Sequence, residues 1–192
     1  MVEEHILVQR ALVGDREAFA GLVRAYQGPV YNLAYRMLGN PAEAEEAAQE
    51  TFVRIYQRLG TYDPQQKLAS WVLAIASHYC IDRLRRRKVS LSLEEAPDQE
   101  ASEPTETPEP ALLAQEREGE IQALLAGLPE GYRLVLVLRY WQDLSYEEMA
   151  RVLGTSESAV KARLHRAREL MARHLSKRQE TQPIRGLERR VA

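Results

Sequence analysis

Basic side chains recur along residues 157–171, where apolar residues are spaced as on a helix. Lysine and arginine can bind phosphate oxygens, and arginine can also donate two hydrogen bonds to a guanine edge. Such contacts require neighbouring elements that present this helix to nucleic acid. The basic residues of the segment are Lys161, Arg163, His165, Arg166 and Arg168.

The elements before this helix have the layout of a helix-turn-helix. Ser145 is a predicted N-cap, and Glu148 completes a capping box. Gly154 supplies the left-handed residue that ends the short helix, and Ser156 caps the next one. Exposed basic residues on an amphipathic helix can also be an ordinary solvated surface with no binding role. On such a surface a single histidine such as His165 usually has no special role. The capping box, the glycine and the basic helix together favour insertion into a DNA major groove.

A second basic cluster lies at the end of a predicted helix, residues 69–88. Cations at a helix C-terminus are stabilised by the helix dipole, which by itself explains such a cluster. Close to aromatic residues, it is also typical of a surface that binds phosphates and stacks bases. A tryptophan such as Trp71 is more often a core residue than a base-stacking one. The cluster is Arg83, Arg85, Arg86, Arg87 and Lys88, and the aromatic residues are Tyr62, Trp71 and Tyr79.

Helical periodicity predicts an all-α protein made of two small bodies of about four helices each. Asp15 and Asn40 are predicted N-caps, and Glu43 completes a capping box with Asn40. Gly28 and Pro29 predict a break between two helices. The predicted helices are residues 3–26 with a pause at Gly14, then 30–38, 41–59, 69–88, 112–128, one from Pro129, and the helix-turn-helix.

The predicted helix at residues 41–59 has a largely acidic face opposite its apolar stripe. An acidic helix face is usually exposed to solvent and needs no further explanation. The polar residues of this face are Glu43, Glu46, Gln49, Glu50 and Arg54.

The net charge of −2 conceals an uneven distribution. Residues 91–120 contain ten acidic residues and one basic residue, which leaves 25 basic against 18 acidic residues elsewhere. Residues 90–110 are also rich in proline and poor in apolar residues, which predicts a disordered acidic linker. The overall negative charge by itself would argue against nucleic-acid binding. Its distribution, with two basic bodies joined by an acidic linker, argues for it.

Composition excludes several classes of protein. Cys80 is the single cysteine, so neither a disulfide nor a cysteine-based zinc site can form within one chain. No apolar run approaches the roughly 20 residues of a membrane span, and the acidic start differs from a signal peptide. These features predict a cytoplasmic protein. The sequence contains neither paired carboxylates nor a set of residues that would form an activated nucleophile, so we do not expect an enzyme. We also expect no cofactor and no metal.

Three blocks of the sequence resemble the extracytoplasmic-function (ECF) sigma factors of the sigma-70 family, which are initiation subunits of bacterial RNA polymerase. AEAEEAAQETFVRIY (residues 42–56) resembles the family's core-binding helix, and WVLAIASHYCIDRLRRRK (residues 71–88) its downstream promoter-reading helix. Residues 128–170 resemble its upstream-element domain. The resemblance implies a sigma domain at residues 1–89, a linker at 90–111, a helix-turn-helix domain at 112–175 and a basic tail at 176–192.

The resemblance also implies a role for each set of polar residues. Contacts to the β′ clamp helices of core polymerase are implied for Glu43, Glu46, Gln49, Glu50 and Arg54. Contacts to the downstream (−10) element are implied for Tyr62, Lys67, Trp71, His78, Tyr79, Arg85 and Arg86, with a pocket for a flipped base in loop 60–70. Contacts to the upstream (−35) element are implied for Arg139, Thr155, Ser156, Glu157, Ser158, Lys161, Arg163, His165, Arg166 and Arg168.

The function implied is promoter recognition and strand opening as a dissociable subunit of RNA polymerase. The expected partners are promoter DNA, the β′ clamp helices and β flap of polymerase, and an anti-sigma factor that inhibits the protein until a stress signal. A conventional helix-turn-helix regulator is the alternative, and would bind duplex operator as a symmetric dimer without polymerase. A helical adaptor protein, the third class, would have no salt-dependent DNA affinity.

Overall fold

The computed structural model describes residues 2–91 and 109–181, with side chains at residues 4–88 and 117–177. All the regular elements within these ranges are helical, which confirms the predicted all-α fold. The predicted linker residues 92–108 and tail residues 182–192 lie outside the described residues. The helices are α1 (Val2–Leu12), α2 (Arg16–Leu38), α3 (Pro41–Arg58), α4 (Leu68–Leu91), α5 (Glu109–Ala126), α6 (Glu130–Tyr140), α7 (Tyr146–Leu153) and α8 (Glu157–Thr181), with a 3-10 turn at Leu59–Thr61.

Helix α2 runs through Gly28 and Pro29 without a break, so the predicted separation into two helices is wrong. A proline inside a helix removes one backbone hydrogen bond and costs about 3 kcal/mol. Leu22, Tyr26 and Val30 nevertheless continue one buried face across the proline. Because each large apolar side chain contributes roughly 1.5–3 kcal/mol on burial, this face outweighs the cost of the proline.

The N-caps of α2 and α3 are the predicted ones. Asp15 accepts hydrogen bonds from two backbone N–H groups in the first turn of α2, and Asn40 accepts one from the N–H of Glu43 at 3.1 Å. The carboxylate of Glu43 was expected to complete a capping box. It instead contacts Arg83 and Arg87 of α4, because the packing of α4 on α3 brings these two cations within reach.

The helix-turn-helix has the predicted local geometry. Ser145 and Glu148 make both hydrogen bonds of a capping box, at 3.2 and 2.8 Å. Gly154 has a φ of 59°, the left-handed conformation that ends α7. Ser156 accepts a hydrogen bond from the backbone three residues on and so begins α8. Helix α8 extends to Thr181, so the first residues of the predicted frayed tail are helical.

The first body, α1–α4, and the second body, α5–α8, lie in direct contact. Helices α5 and α6 lie against α2, and α6 and α7 lie against α4. The buried apolar cluster is continuous across both bodies, joining Leu33 and Met37 of α2 to Leu134 and Val137 of α6. Since residues far apart in sequence form this contact, helical periodicity did not predict it.

Candidate nucleic-acid interface

The buried face of α8 determines which of its side chains are presented to solvent. Val160, Leu164 and Ala167 are at most 1% exposed and lie in the core of the second body. Thr155 and Arg163 are half-buried. The exposed members of the predicted upstream set are Ser156, Glu157, Ser158, Lys161, His165, Arg166 and Arg168. The exposed side of α8 is therefore rich in groups that can contact phosphate or base edges.

Arg139 has a structural role within the second body. Its Nη1 donates a hydrogen bond of 2.8 Å to the carbonyl of Leu144, at the start of the helix-turn-helix. Its guanidinium lies 5.6 Å from the ring centre of Tyr146, and the ammonium of Lys161 lies 5.3 Å from the same ring. The ring thus holds two cations in place, which lowers the entropy that they would lose on binding phosphate.

The predicted downstream residues do not form a single surface. Tyr62 and Trp71 are half-buried neighbours with ring centres 5.5 Å apart. Tyr79 instead faces α3, where the guanidinium of Arg54 lies 4.7 Å from its ring centre. Arg86 is exposed near the end of α4. Stacking on Tyr62 or Trp71 and stacking on Tyr79 would therefore occur at separate places.

The loop between α3 and α4 encloses a cavity of about 590 Å³ against α1. Tyr62 of the loop donates a hydrogen bond of 2.8 Å to the carbonyl of Gln66, and Lys67 also lines the cavity. Opposite them, the Tyr26 hydroxyl donates a hydrogen bond of 2.5 Å to the carboxylate of Glu4. Burial, followed by the hydrogen bond to Glu4, raises the pKa of Tyr26, so its hydroxyl remains protonated. Sequence reasoning missed Glu4 and Tyr26, because they are far from the loop along the chain.

The acidic face of α3 is partly neutralised by α4. Arg83 donates a hydrogen bond of 2.8 Å to Glu46, and a second nitrogen of Arg83 lies 3.4 Å from Glu43. Glu50 pairs with Arg54 on α3 itself at 3.0 Å. These pairs hold the carboxylates in fixed positions, and they leave less free negative charge than the sequence indicated.

Two apolar side chains extend this face toward the end of α3. Val53 is 49% exposed and Tyr56 is 57% exposed, so both present large apolar surfaces to solvent. The ring of Tyr56 is held edge-on by Phe19, with ring centres 5.0 Å apart. Exposed Gln49 lies one turn before Val53. The sequence contained a signal for this patch, since both residues fall outside the apolar stripe of α3.

Basic residues predicted for the two promoter elements lie near one another between the bodies. A cavity of about 710 Å³ is lined by His78 and Arg85 of α4 and by Arg163 and Arg166 of α8. Glu130, at the start of α6, also lines it. The sequence assigned the two pairs of basic residues to separate domains, whereas the structure brings them to one cavity.

The second body also has an apolar groove between α6 and α8. Tyr140 and Leu175 are 55% and 43% exposed at its edges, and Leu136, Trp141 and Met171 line it as well. Its volume is about 230 Å³. Arg168 donates a hydrogen bond of 2.9 Å to the Tyr140 hydroxyl and lies at the boundary between this groove and the basic face.

The described residues contain no group of three His, Cys, Asp or Glu side chains arranged to hold a metal ion. None of the described helices has the length and apolar character of a membrane span.

Comparison with known proteins agrees with this architecture. The sequence profile of the family described as Sigma-70 region 2 matches residues 22–89, and that of Sigma-70, region 4 matches residues 118–171. The ECF RNA polymerase sigma factor SigW of Bacillus subtilis is 36% identical over 88% of this chain and 94% of its own length. The RNA polymerase sigma-H factor of Pseudomonas aeruginosa is 33% identical over 90% of this chain and 94% of its own length.

Solved structures show the same likeness. CnrH, in complex with the cytosolic domain of CnrY, matches with a TM-score of 0.68 and 26% identity over 91% of this chain and 98% of that one. The sigma factor RpoE of Bartonella quintana, in complex with the anti-sigma factor NepR, shares the fold with a TM-score of 0.66 at 18% identity, over 82% of this chain and 96% of that one.

Two helical bodies with a helix-turn-helix in the second define a transcription initiation factor of the sigma-70 type. The chain belongs to the ECF RNA polymerase sigma factors. It recognises promoter DNA and directs initiation as a subunit of RNA polymerase, and the alternative of a conventional regulator that acts without polymerase is not supported.

Proposed function

We propose that this sigma factor divides its contacts among three surfaces. The α3 face around Glu46, Gln49 and Glu50 binds the β′ clamp helices of core polymerase. The exposed side of α8 reads the upstream element, and the loop before α4, with α4 itself, reads the downstream element. The observation that carries this assignment is the presence on one fold of an exposed, partly apolar face on α3 and of an exposed basic side on α8.

At the upstream element, Arg163 and Arg166 contact base edges, while Arg139 and Lys161 contact phosphates. The Tyr146 ring supports the latter pair by orienting both cations. At the downstream element, the cavity beside Tyr62 holds an unstacked base. Its mixture of a carboxylate, an ammonium group and aromatic rings supports recognition by hydrogen bonding and stacking together.

The remaining contacts are to proteins. The groove beside Tyr140 offers apolar side chains suited to the apolar face of a helix, and we assign it to the β flap of polymerase. An anti-sigma factor holds the protein inactive until a stress signal. Support for this regulation comes from the likeness to CnrH, whose structure was solved as a complex with CnrY. The protein acts on polymerase in the cytoplasm and contributes no catalytic group of its own.

Run-off transcription with purified core polymerase on genomic fragments tests this proposal. The complete system should give discrete transcripts whose start sites share an upstream and a downstream element. Polymerase alone, and the protein alone, provide the controls. Equal transcripts with and without the protein would contradict the proposal, and sequence-specific binding to duplex DNA in the absence of polymerase would favour the conventional regulator.

A further inference from the structure

The cavity between the two bodies has the size and the walls of a small-molecule site. Its volume is about 710 Å³, and ligand sites in proteins measure roughly 300–1,000 Å³. Basic residues reach it from two helices that belong to different bodies: His78 and Arg85 from α4, and Arg163 and Arg166 from α8. A guanidinium group binds the oxygens of a phosphate through paired hydrogen bonds. These walls therefore favour an anionic ligand that contacts both bodies.

Positive charge exceeds negative charge around this cavity. Glu130 is the single acidic residue in its described lining, against three arginines. Glu130 is already paired, because its carboxylate lies 2.6 Å from the ammonium of Lys88 and 3.8 Å from Arg85. Among the side chains that the structure describes, neither Arg163 nor Arg166 has an ion-pair partner. The positive charge on the α8 side of the cavity is thus available to a ligand.

The start of α6 adds backbone donors to the same wall. Pro129, Glu130 and Gly131 line the cavity where this helix begins. Pro129 is the N-cap and makes no side-chain hydrogen bond to the first turn. The first N–H groups of a helix lack partners within it and carry a partial positive charge, which stabilises phosphate groups. A phosphate at this end of the cavity is favoured by the helix as well as by the arginines.

Ser77 of α4 provides an independent indication of a ligand. It lines the cavity and is 2% exposed, and its hydroxyl has no hydrogen-bond partner among the described residues. Buried polar groups are almost always hydrogen-bonded, because leaving one without a partner is unfavourable. A ligand oxygen in this cavity can accept the hydrogen bond that the protein leaves unmade.

The remaining walls are largely apolar. Ile81 of α4, Leu134 of α6, and Val152 and Leu153 of α7 line the cavity together with half-buried Tyr132. An inorganic anion gains little from such walls, because it has no apolar surface to bury. A ligand with both phosphate and an aromatic group uses both kinds of wall, since an aromatic ring can pack on Tyr132 and on aliphatic side chains. This combination indicates a nucleotide-like molecule.

From these features we propose that the cavity binds a phosphorylated ligand of nucleotide size. Its phosphates contact the arginines and the start of α6, and its aromatic part lies against Tyr132 and the apolar wall. Because Arg85 belongs to the first body and Arg163 and Arg166 to the second, the bound ligand contacts both. Binding itself does not depend on the proposed function, but its consequence does. The proposed function assigns Arg163 and Arg166 to promoter bases, so the ligand competes with promoter DNA for these side chains.

Isothermal titration calorimetry of the full chain with defined probes tests the site. The probes are adenosine diphosphate, guanosine diphosphate, pyrophosphate and adenosine. We expect each diphosphate to bind at least about tenfold more tightly than pyrophosphate or adenosine, because only the nucleotides use both kinds of wall. No binding of either nucleotide at millimolar concentration would overturn the proposal. Pyrophosphate binding as tightly as the nucleotides would do the same, since it would reduce the site to a basic surface patch.

Gly131→Glu tests the position of the ligand. Gly131 lines the cavity, has an ordinary φ and leaves open space where a side chain would begin. A carboxylate there should weaken nucleotide binding at least about tenfold through charge repulsion and lost space. Acidic residues are favourable in the first turn of a helix, so the variant should keep its fold. Gly119→Glu, at an exposed position of α5 that also has open space, is the control and should bind as the wild type does. Equal affinities of the two variants would place the nucleotide elsewhere and overturn the proposal.

Ser77→Ala separates a binding role from a packing role. Because the Ser77 hydroxyl has no partner in the described part of the chain, its removal should leave the free protein as stable as the wild type or slightly more stable. Nucleotide affinity should fall by about threefold, as the hydrogen bond to the ligand is lost. Thermal unfolding and calorimetry give the two quantities. Unchanged affinity would contradict the contact with Ser77, as would a loss of affinity that merely follows a loss of stability.

Promoter binding distinguishes this inference from the proposed function. Nucleoside diphosphate at about ten times its dissociation constant should weaken the binding of polymerase holoenzyme to a promoter found by run-off transcription by about tenfold. The Gly131→Glu holoenzyme is the control, because it separates competition at this cavity from nucleotide binding to polymerase itself. An equal effect on both holoenzymes would overturn the competition. Calorimetric binding with no effect on the wild-type holoenzyme would leave the site standing and count against the assignment of Arg163 and Arg166 to promoter bases.

Discussion

The ammonium of Lys67, in the loop before α4, donates a hydrogen bond of 2.6 Å to the carboxylate of Glu148 in α7. Glu148 also accepts the backbone N–H of Ser145 at 2.8 Å, completing the capping box of the helix-turn-helix. One carboxylate therefore joins the two bodies and begins a helix. Hydrogen bonding from Lys67, followed by the backbone hydrogen bond at Ser145, lowers the pKa of Glu148 to about 2.

This lowered pKa predicts a specific dependence of stability on pH. A carboxylate whose pKa is lowered by folding contributes fully above its ordinary pKa of 4.5, and its contribution is lost as the pH falls toward 2. Glu148→Gln should lower the free energy of unfolding by about 1–2 kcal/mol near neutral pH. The difference from the wild type should shrink below about pH 4, as the wild-type carboxylate becomes protonated.

Urea unfolding of both proteins across this pH range measures the difference. Glu147→Gln is the control, because the carboxylate of Glu147 is 63% exposed and pairs with Arg151 on the surface of α7. Its effect should stay below about 0.5 kcal/mol. A Glu148→Gln effect that is as large in acid as at neutral pH would show that the carboxylate charge is not responsible.

A polymerase contact on α3 predicts a loss of core binding when a positive charge is added to this face. Gln49→Lys places a cation at the centre of the exposed face without breaking the pairs of Glu46 and Glu50. Affinity for core polymerase should fall by about 1 kcal/mol or more, while helix content stays unchanged. Gln27→Lys, at an exposed position on α2, is the control because it adds the same single positive charge elsewhere on the surface. Equal affinities of the two variants in fluorescence titrations would remove α3 from the interface.

The recognition helix predicts two distinguishable effects on promoter choice. Arg163→Ala and Arg166→Ala should each cost about 1–3 kcal/mol and relax selectivity within the upstream element, if these residues touch bases. Arg173→Ala, farther along the exposed side of α8, should leave selectivity unchanged. Transcription from a library of upstream-element variants gives the preferences. A uniform loss on every promoter would assign Arg163 and Arg166 to phosphates instead.

Arg139→Ala should weaken promoter binding evenly and reduce its salt dependence. The structure adds a second expectation. The hydrogen bond from Arg139 to the carbonyl of Leu144 should make this variant less stable by about 1 kcal/mol. Thermal unfolding and binding at several salt concentrations separate the two effects. A changed promoter preference, or unchanged stability, would contradict this dual role.

The turn of the helix-turn-helix predicts a position-specific cost for alanine. Gly154 has a φ of 59°, where a side chain costs about 1–2 kcal/mol, so Gly154→Ala should be destabilising by that amount. Gly131, in the first turn of α6, has open space around it and an ordinary φ, so Gly131→Ala should be neutral or slightly stabilising. Urea unfolding measures both. Similar effects at the two glycines would contradict the backbone explanation.

Local chemistry in the sequence determined much of the fold. Asp15, Asn40, Ser145 and Gly154 each lie where their side chain or backbone satisfies a helix end, and the sequence predicted all four. Such contacts span three or four residues, so spacing alone identifies them. The same reasoning located the basic residues of α8, because the buried stripe of a helix determines its exposed side. It failed at Pro29, where burial along α2 outweighs the local cost of a proline.

Only the tertiary structure decided how the two bodies meet. Arg36 and Glu118 are 82 positions apart, and Lys67 and Glu148 are 81 apart, so neither pair leaves a periodic signal in the sequence. The same holds for Glu4 and Tyr26 in the cavity of the α3–α4 loop, and for Arg83 between Glu43 and Glu46. A sequence states which side chains carry charge. Which charges neutralise one another, and which remain for DNA or polymerase, depends on distances that arise when the helices pack.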